Sequence, residues 1–386
     1  MAADSALARP HPGYDALRES LDSLDSSELR GRRIAIDPGH GGFFRGSIGV
    51  NGLTESEANL AVSLRLRERL VAHGASVFLT RETDHDFLVA GDSALRSDLA
   101  ERMRRANAFD PELFVSVHHN ADPAGRHDQN ETQTYYRFDD DGPSLDAAQD
   151  VHRALVRNVG IAAQRVIPGN YFVLRSSAAP ALLTETSFLT NPDVEARLRD
   201  PKAIAIEAEA LAIGIARYFA RPRPVVDRFV ARVAAIELAD SARTDGDPVL
   251  TARLRGATDA IHWTVDGARQ TPARFGDSLA WLPPAPWTHG WHDARLSARL
   301  AGAGSTRERR VRFFVAKPIA RLQVEPADAL DDDAKRIAVR IELRDAWDAA
   351  PRDSGLVEVR RRSGVGIVPA LQRVTIRDGV GFAYLT

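Results

Sequence analysis

No cysteine occurs among the 386 residues. That excludes thiolate zinc sites, disulfide staples and a cysteine nucleophile; it is compatible with an oxidising compartment. Charge of one sign is equally scarce. Lys and Arg number 51 against 53 Asp and Glu, a net charge of −2, and no basic tract rises above a solvated surface, so nothing calls for a nucleic-acid partner. Long apolar runs are missing too. The most apolar helical stretch, residues 203–220, carries Glu207, Glu209 and Arg217, which is not the pattern of a membrane span. Residues 1–12 have no apolar core behind a basic stub, so no signal peptide is visible.

The length allows two or three domains and a sizeable core. Residues 1–30 are polar and acidic, and Leu17, Leu21 and Leu24 recur at a spacing that predicts a short surface helix. Residues 31–221 alternate between two periodicities. Strands are predicted at 33–37, 75–80, 112–118, 132–137, 171–174 and 181–185, and helices at 55–73, 94–108, 144–160 and 201–219. In the first helix, Leu60, Val62, Leu64, Leu66, Leu70 and Val71 form an apolar band opposite Arg65 and Arg69. This alternation predicts an α/β domain, with a mostly parallel sheet flanked by helices. Ligands of such sheets gather beyond the carboxyl ends of the strands. The character changes at Arg221-Pro222-Arg223-Pro224, a stiff linker. Short alternating runs such as Ile261-His262-Trp263-Thr264-Val265 follow, separated by turns such as Asp266-Gly267, and predict a β-sandwich over 222–317. A second break at Lys317-Pro318 opens a further β module over 318–386, which ends on a strand-like segment at Thr386 as an incomplete module would.

His40 is the most informative residue. In Asp37-Pro38-Gly39-His40-Gly41-Gly42 it closes the apolar run Ile34-Ala35-Ile36 and opens a glycine turn whose backbone can approach a ligand closely. Glu55 and His118, from separate segments, complete two histidines and one carboxylate, enough for a catalytic zinc site with one open position. Each has a bland alternative. His40 and His118 read equally as polar strand ends, and Glu55 as an acid placed against a helix dipole. Thr54 and Glu57 have the spacing of a capping box, which gives Glu57 a structural task and leaves Glu55, at the first helical position, to face the strand ends. His118 and His119 point to opposite sheet faces, so one of them at most is a ligand, and spacing does not choose. Glu185 ends the apolar strand Leu182-Leu183-Thr184, where a carboxylate is costly unless paired with an arginine or linked to a metal site.

Together these segments resemble the zinc-dependent N-acetylmuramoyl-L-alanine amidases of the amidase-3 type. The resemblance runs through Asp37-Pro38-Gly39-His40-Gly41-Gly42, Gly46 to Glu55, Asn59-Leu60-Ala61, Thr80-Arg81-Glu82-Thr83-Asp84, Glu101-Arg102, Ala106-Asn107, residues 113–121 and residues 180–192, covering about residues 32–220. It implies Zn2+ held by His40, Glu55 and His118, with Glu185 as the catalytic glutamate. Glu57 and His119 then fall outside the ligand set. It further implies hydrolysis of the amide between N-acetylmuramic acid and L-alanine in peptidoglycan, and a periplasmic or extracellular place in the cell envelope. The sequence departs from the family pattern at Ser56, often lysine; at His119, usually a small residue; and at Ser187, commonly glycine. Two rival readings are another zinc peptidase of wall peptides, with Arg137 or Arg175 binding a terminal carboxylate, and a non-catalytic wall-binding protein. The motifs Trp263-Thr264-Val265-Asp266-Gly267 and Phe313-Phe314-Val315 resemble bacterial immunoglobulin-like domains, and 318–386 resembles the invasin-like type. Residues 222–386 are therefore expected to bind the wall or a protein partner. Trp281, Trp287 and Trp291 read as sandwich-core packing or as a sugar platform.

Overall fold

A computed structural model describes residues 11–88, 94–317, 319–326, 337–345, 350, 355–360 and 371–385. The break at Pro318 and residues 1–10 lie outside the described residues. The chain divides into two compact units: Met1–Pro222 with Ala303–Arg307, and Arg223–Gly302 with Glu308–Thr386.

A six-stranded sheet organises the first unit. Its strands are β1 (Arg33–Pro38), β2 (Ser76–Leu79), β3 (Leu113–Asn120), β4 (Thr132–Arg137), β5 (Gln164–Gly169) and β6 (Ala181–Phe188), in the spatial order β2-β1-β3-β6-β4-β5. All neighbours run parallel except β4 against β6. The helices are α1 (Glu55–Ala72), α2 (Leu95–Ala108), α3 (Pro143–Val159), α4 (Phe172–Ser176), α5 (Pro192–Leu198) and α6 (Pro201–Ala220). The period of two splits each central strand between two cores. Ile34, Ile36, Leu113, Val115, Val117 and Leu182 pack with α1, α3 and α6, while Ala35, Phe114, Ala181 and Leu183 pack with Met103 of α2 and Leu174 of α4. The mostly parallel sheet is thus covered on both faces, as its apolar strands require.

Three expectations are corrected. Residues 171–174 are not a strand. The strand lies earlier, at β5, and Phe172–Ser176 turn into α4, where Val173 and Leu174 are buried. Val71 does not belong to the buried band of α1: it is exposed, and the band narrows to Ala58, Val62, Leu66 and Leu70 with Leu64 partly buried. Among the described residues before β1, 11–32, there is no α-helix. They form a strap with two 3-10 turns, Leu21–Ser23 and Ser27–Leu29, that buries Tyr14, Leu21 and Leu29 in the core of α1, α3 and α6.

In the second unit two five-stranded sheets enclose one core. One runs, in spatial order, Ala273–Phe275, Ser278–Trp281, Val249–Arg255, Val225–Val233 and Ile236–Glu237; the other Ala268–Gln270, Ala260–Val265, Gly290–Arg299, Arg309–Val315 and Ala242–Thr244. Trp263, Trp281, Trp287 and Phe313 fill the core. Trp287 Nε1 donates to the Pro248 carbonyl at 2.8 Å, whereas Trp291 stays exposed with the Arg312 guanidinium 5.1 Å from its ring centroid. Further on, Ile319–Pro326, Ile337–Asp345 and Val380–Leu385 form an antiparallel sheet, and Gly355–Arg360 pairs with Leu371–Ile376. Among the described residues no helix is long and apolar enough to cross a membrane.

Candidate metal centre

The turn after β1 delivers His40 with φ of 62°, the left-handed region. Two buried arginines hold that turn by its carbonyls. Arg81 donates to Pro38, Gly39 and Ser56 oxygens at 2.9, 2.9 and 2.8 Å, and Arg102 to Pro38 and His40 oxygens at 3.0 and 2.6 Å. Burial lowers the Arg81 pKa to about 10, which still leaves it charged at neutral pH. Arg102 is itself held by Asp98 at 2.7 Å and Asp37 at 3.2 Å.

Glu55 is the first residue of α1. Thr54 caps the helix, accepting from the Glu57 amide at 3.3 Å, while Glu57 Oε2 accepts from the Thr54 amide at 2.9 Å. The capping box therefore occupies Glu57 and turns it to solvent, and Glu55 is buried. One Glu55 oxygen, Oε2, is tied to Ser47, which donates its amide at 2.9 Å and its hydroxyl at 3.0 Å. The other, Oε1, lies 3.1 Å from His40 Nε2 and 2.9 Å from His118 Nδ1. The ligand-capable atoms of His40, Glu55 and His118 all fall within 4.8 Å of one another. The donor set and spacing fit a small divalent ion with bonds of about 2 Å.

The electrostatics favour that fit. Burial would push the Glu55 carboxyl up, but hydrogen bonds from His118 and His40 outweigh it and hold it well below the usual range. Burial lowers the His118 pKa, and the neighbouring His40 adds to this, so the ring is neutral near pH 7, the form that ligates metal. Glycines make the room. A Cβ on Gly39 would meet the His118 ring at 2.1 Å, and one on Gly46 would meet Glu55 Oε2 at 2.5 Å.

Glu185 stands directly across from His118 in the β3–β6 register and from Gln133 in the β4–β6 register. Cross-strand partners share a face, so Glu185 rises beside the cluster. No arginine pairs with it among the described residues, and its buried Oε2 has no hydrogen-bond partner. Burial, then the nearby Glu55 charge, raise its pKa well above the carboxylate range. His119 points the other way, into the helical face, with Nδ1 2.8 Å from Asn59 Oδ1 and Nε2 3.1 Å from Glu207 Oε2. Arg137 is paired with Asp139, and Arg175 donates to the Asn170 carbonyl at 2.7 Å.

Residues 34–217 match the family Amidase_3, N-acetylmuramoyl-L-alanine amidase. The germination-specific N-acetylmuramoyl-L-alanine amidase of Bacillus subtilis (strain 168) is 31% identical over 198 residues, 50% of this chain and 82% of that protein. The uncharacterized protein YqiI of the same strain is 33% identical over 192 residues, 50% of this chain and 86% of that protein. The chain belongs to this amidase family. The amidase is also similar to the solved N-acetylmuramoyl-L-alanine amidase AmiC2 of Nostoc punctiforme, with 32% identity, 49% of this chain and 98% of that one covered, and a TM-score of 0.43. Its activity is hydrolysis of a carbon–nitrogen bond in peptidoglycan.

Several residues that hold the candidate site in shape give little sign of it in the sequence. Arg81 and Arg102 lie in motifs that carry the resemblance, yet arginine reads as a surface residue until its burial is seen. Asn59 also lies in such a motif, Asn59-Leu60-Ala61, yet nothing there shows that its side chain reaches Glu55 and His119. Glu195, fully buried at the start of α5, accepts from the amides of Asn51 at 2.7 Å and Leu53 at 2.9 Å and so anchors the loop that leads to Glu55.

Proposed function

We propose that the amidase binds Zn2+ through His40, Glu55 and His118 and uses Glu185 as general base to cleave the amide between N-acetylmuramic acid and L-alanine. The observation that carries this reading is the convergence of three ligand atoms within 4.8 Å beside a carboxylate oxygen that is buried and unpartnered. Zinc bound there would supply a Lewis acid that lowers the pKa of water towards about 7 and stabilises negative charge on the scissile carbonyl oxygen.

The remaining work belongs to the chain. Glu185 Oε2, engaged by no other group, takes a proton from the attacking water and passes it to the departing alanine nitrogen. Burial raises the Glu185 pKa, which makes its ionised form a stronger proton acceptor than an ordinary carboxylate. Ser47 holds Glu55 Oε2, so that Oε1 faces the histidines. Arg81 and Arg102 fix the turn that presents His40.

The substrate places the enzyme in the cell envelope, periplasmic or extracellular. Residues 222–317 serve as an immunoglobulin-like sandwich and 318–386 as a second such module, docking the enzyme on the wall or on a protein partner. Two sheets closed over Trp263 support the first assignment.

Metal analysis and mass spectrometry of products from purified sacculi test the reading. Wild type should carry zinc and release stem peptides with a free alanine amine. Glu185→Gln should keep the zinc and lose about 10²–10⁴-fold in rate. His40→Ala should lose both. Cleavage within the stem peptide instead, or near-full activity of Glu185→Gln, would overturn it.

A further inference from the structure

A buried polar chain runs away from the metal cluster on the opposite face of β3. Asn59, four residues after Glu55 on α1, donates from Nδ2 to the Gly39 carbonyl at 3.2 Å and to Glu55 Oε1 at 3.4 Å. Both are acceptors, so the amide must present its NH2 group to them and its Oδ1 away. Oδ1 meets His119 Nδ1 at 2.8 Å, which therefore carries the hydrogen. His119 Nε2 lies 3.1 Å from Glu207 Oε2; the same oxygen accepts from Tyr14 Oη at 2.9 Å, and Tyr14 Oη is 2.8 Å from Ser187 Oγ. Asn59, Glu207 and Ser187 are fully buried, and His119 and Tyr14 nearly so.

We propose that His119 is a positioning residue for the metal centre. It locks the Asn59 amide in the one orientation that donates to Glu55, and it is itself locked by Glu207 and Tyr14. Without a donor at His119 the Asn59 Oδ1 is left buried without its partner, and the side chain is no longer held from behind against the Gly39 carbonyl and the Glu55 carboxylate. The Asn59 hydrogen bond to Glu55 Oε1, the oxygen shared with both histidines, is weakened as Asn59 shifts to find another partner. A carboxylate without its supporting hydrogen bond holds a metal less tightly. The proposal rests on the reading that His40, Glu55 and His118 bind zinc.

The test uses the full-length chain. Zinc affinity is measured by chelator competition, and the visible absorption spectrum of the cobalt-substituted protein reports ligand geometry. His119→Leu and Asn59→Ala should each weaken zinc binding about 10–100-fold, the double variant should cost no more than the worse single one, and His119→Gln, which can still donate to Asn59, should stay within about threefold of wild type. The cobalt spectrum should shift in the two damaging variants and not in His119→Gln. Wild-type affinity and spectrum in His119→Leu would overturn the proposal, as would His119→Gln binding as weakly as His119→Leu. If His119→Leu does not fold, Asn59→Ala and His119→Gln decide alone. A wild-type chain that binds no zinc would instead sink the metal-site reading itself.

Discussion

His40 holds a backbone conformation that costs a non-glycine residue about 1–2 kcal/mol, and such strain persists only where the surroundings enforce it. Here the enforcement is visible as donors from two buried arginines onto the carbonyls of Pro38, Gly39 and His40. Gly39 matters for a different reason, since its missing side chain is the space taken by the His118 ring. Gly39→Ala should therefore displace His118 and weaken zinc binding about 10–100-fold, read by chelator competition, while the chain still folds. Asp37, at the foot of the same turn, gives a pH prediction. Burial would raise its pKa, but the Arg102 guanidinium and the hydroxyls of Thr80 and Ser116 outweigh that and hold it below the usual value. The folded carboxyl thus releases its proton at lower pH than the unfolded one, whose pKa is about 3.9. Its stabilisation is complete above that pH and is lost as pH falls through the folded value. Asp37→Asn should lower stability at pH 7 by about 3 kcal/mol or more, because Arg102 is left buried with one partner fewer. Denaturant titrations should show the gap between variant and wild type closing towards pH 3; a gap that stays constant with pH would refute the assignment. In the sequence, His40 is conspicuous for its glycines. Its arginine clamps are not, because burial of a charged side chain leaves no trace in local pattern.

At the scale of elements, period and capping carry the prediction furthest. The spacing of Thr54 and Glu57 is enough to separate Glu55 from Glu57, and the capping box it predicts is formed. The alternation of β3 puts His118 and His119 on opposite faces, as found. What alternation does not contain is which face turns towards α1; that follows from the β1–β3–β6 register and the side on which each crossover packs. β5 and α4 escape pattern reading for a related reason. Pro168 breaks the look of a strand but is tolerated on an edge, and Phe172 and Val173 look extended although Val173 and Leu174 are buried from a single helical turn. α3 and α6 approach each other closely at Gly214. A Cβ on Gly214 of α6 would lie 2.4 Å from the Val151 Cα of α3. Backbone cannot step aside as a side chain can, so the helices must part. Overpacking of this kind costs about 1–3 kcal/mol, and the helix propensity gained from alanine returns at most about 1 kcal/mol. Gly214→Ala should lower the melting temperature of the catalytic unit by about 2–4 °C per kcal/mol lost, measured by circular dichroism; an unchanged or raised melting temperature would show that α3 and α6 have slack.

Across the molecule, the strap before β1 decides how much chain the catalytic unit needs. Its polarity suggests a surface appendage, separable at about residue 30, and the structure shows otherwise. Tyr14, Leu21 and Leu29 are buried in the same core as Leu66 and Leu211. Polar groups of the helices depend on the strap as well. Glu209 accepts from the Leu21 amide at 2.7 Å, Asn158 accepts from the amides of Arg18 and Glu19 at 3.0 Å each, and Glu207 accepts from Tyr14 at 2.9 Å. Removing the strap would expose three large apolar sites, each worth about 1.5–3 kcal/mol, and would strip hydrogen bonds from buried carboxylates, each such loss costing about 1–3 kcal/mol or more. Against a typical domain stability of about 5–15 kcal/mol the loss is of the same order as the whole. A chain beginning at residue 31 should therefore fail to show a cooperative unfolding transition for its α/β unit and should be cut by protease there, whereas the chain of residues 1–386 should show the transition and resist cleavage. Limited proteolysis and calorimetry on the two chains separate the cases. Wild-type stability in the shorter chain would return the strap to the status of an appendage, and with it the end of the polar chain that Tyr14 closes behind His119.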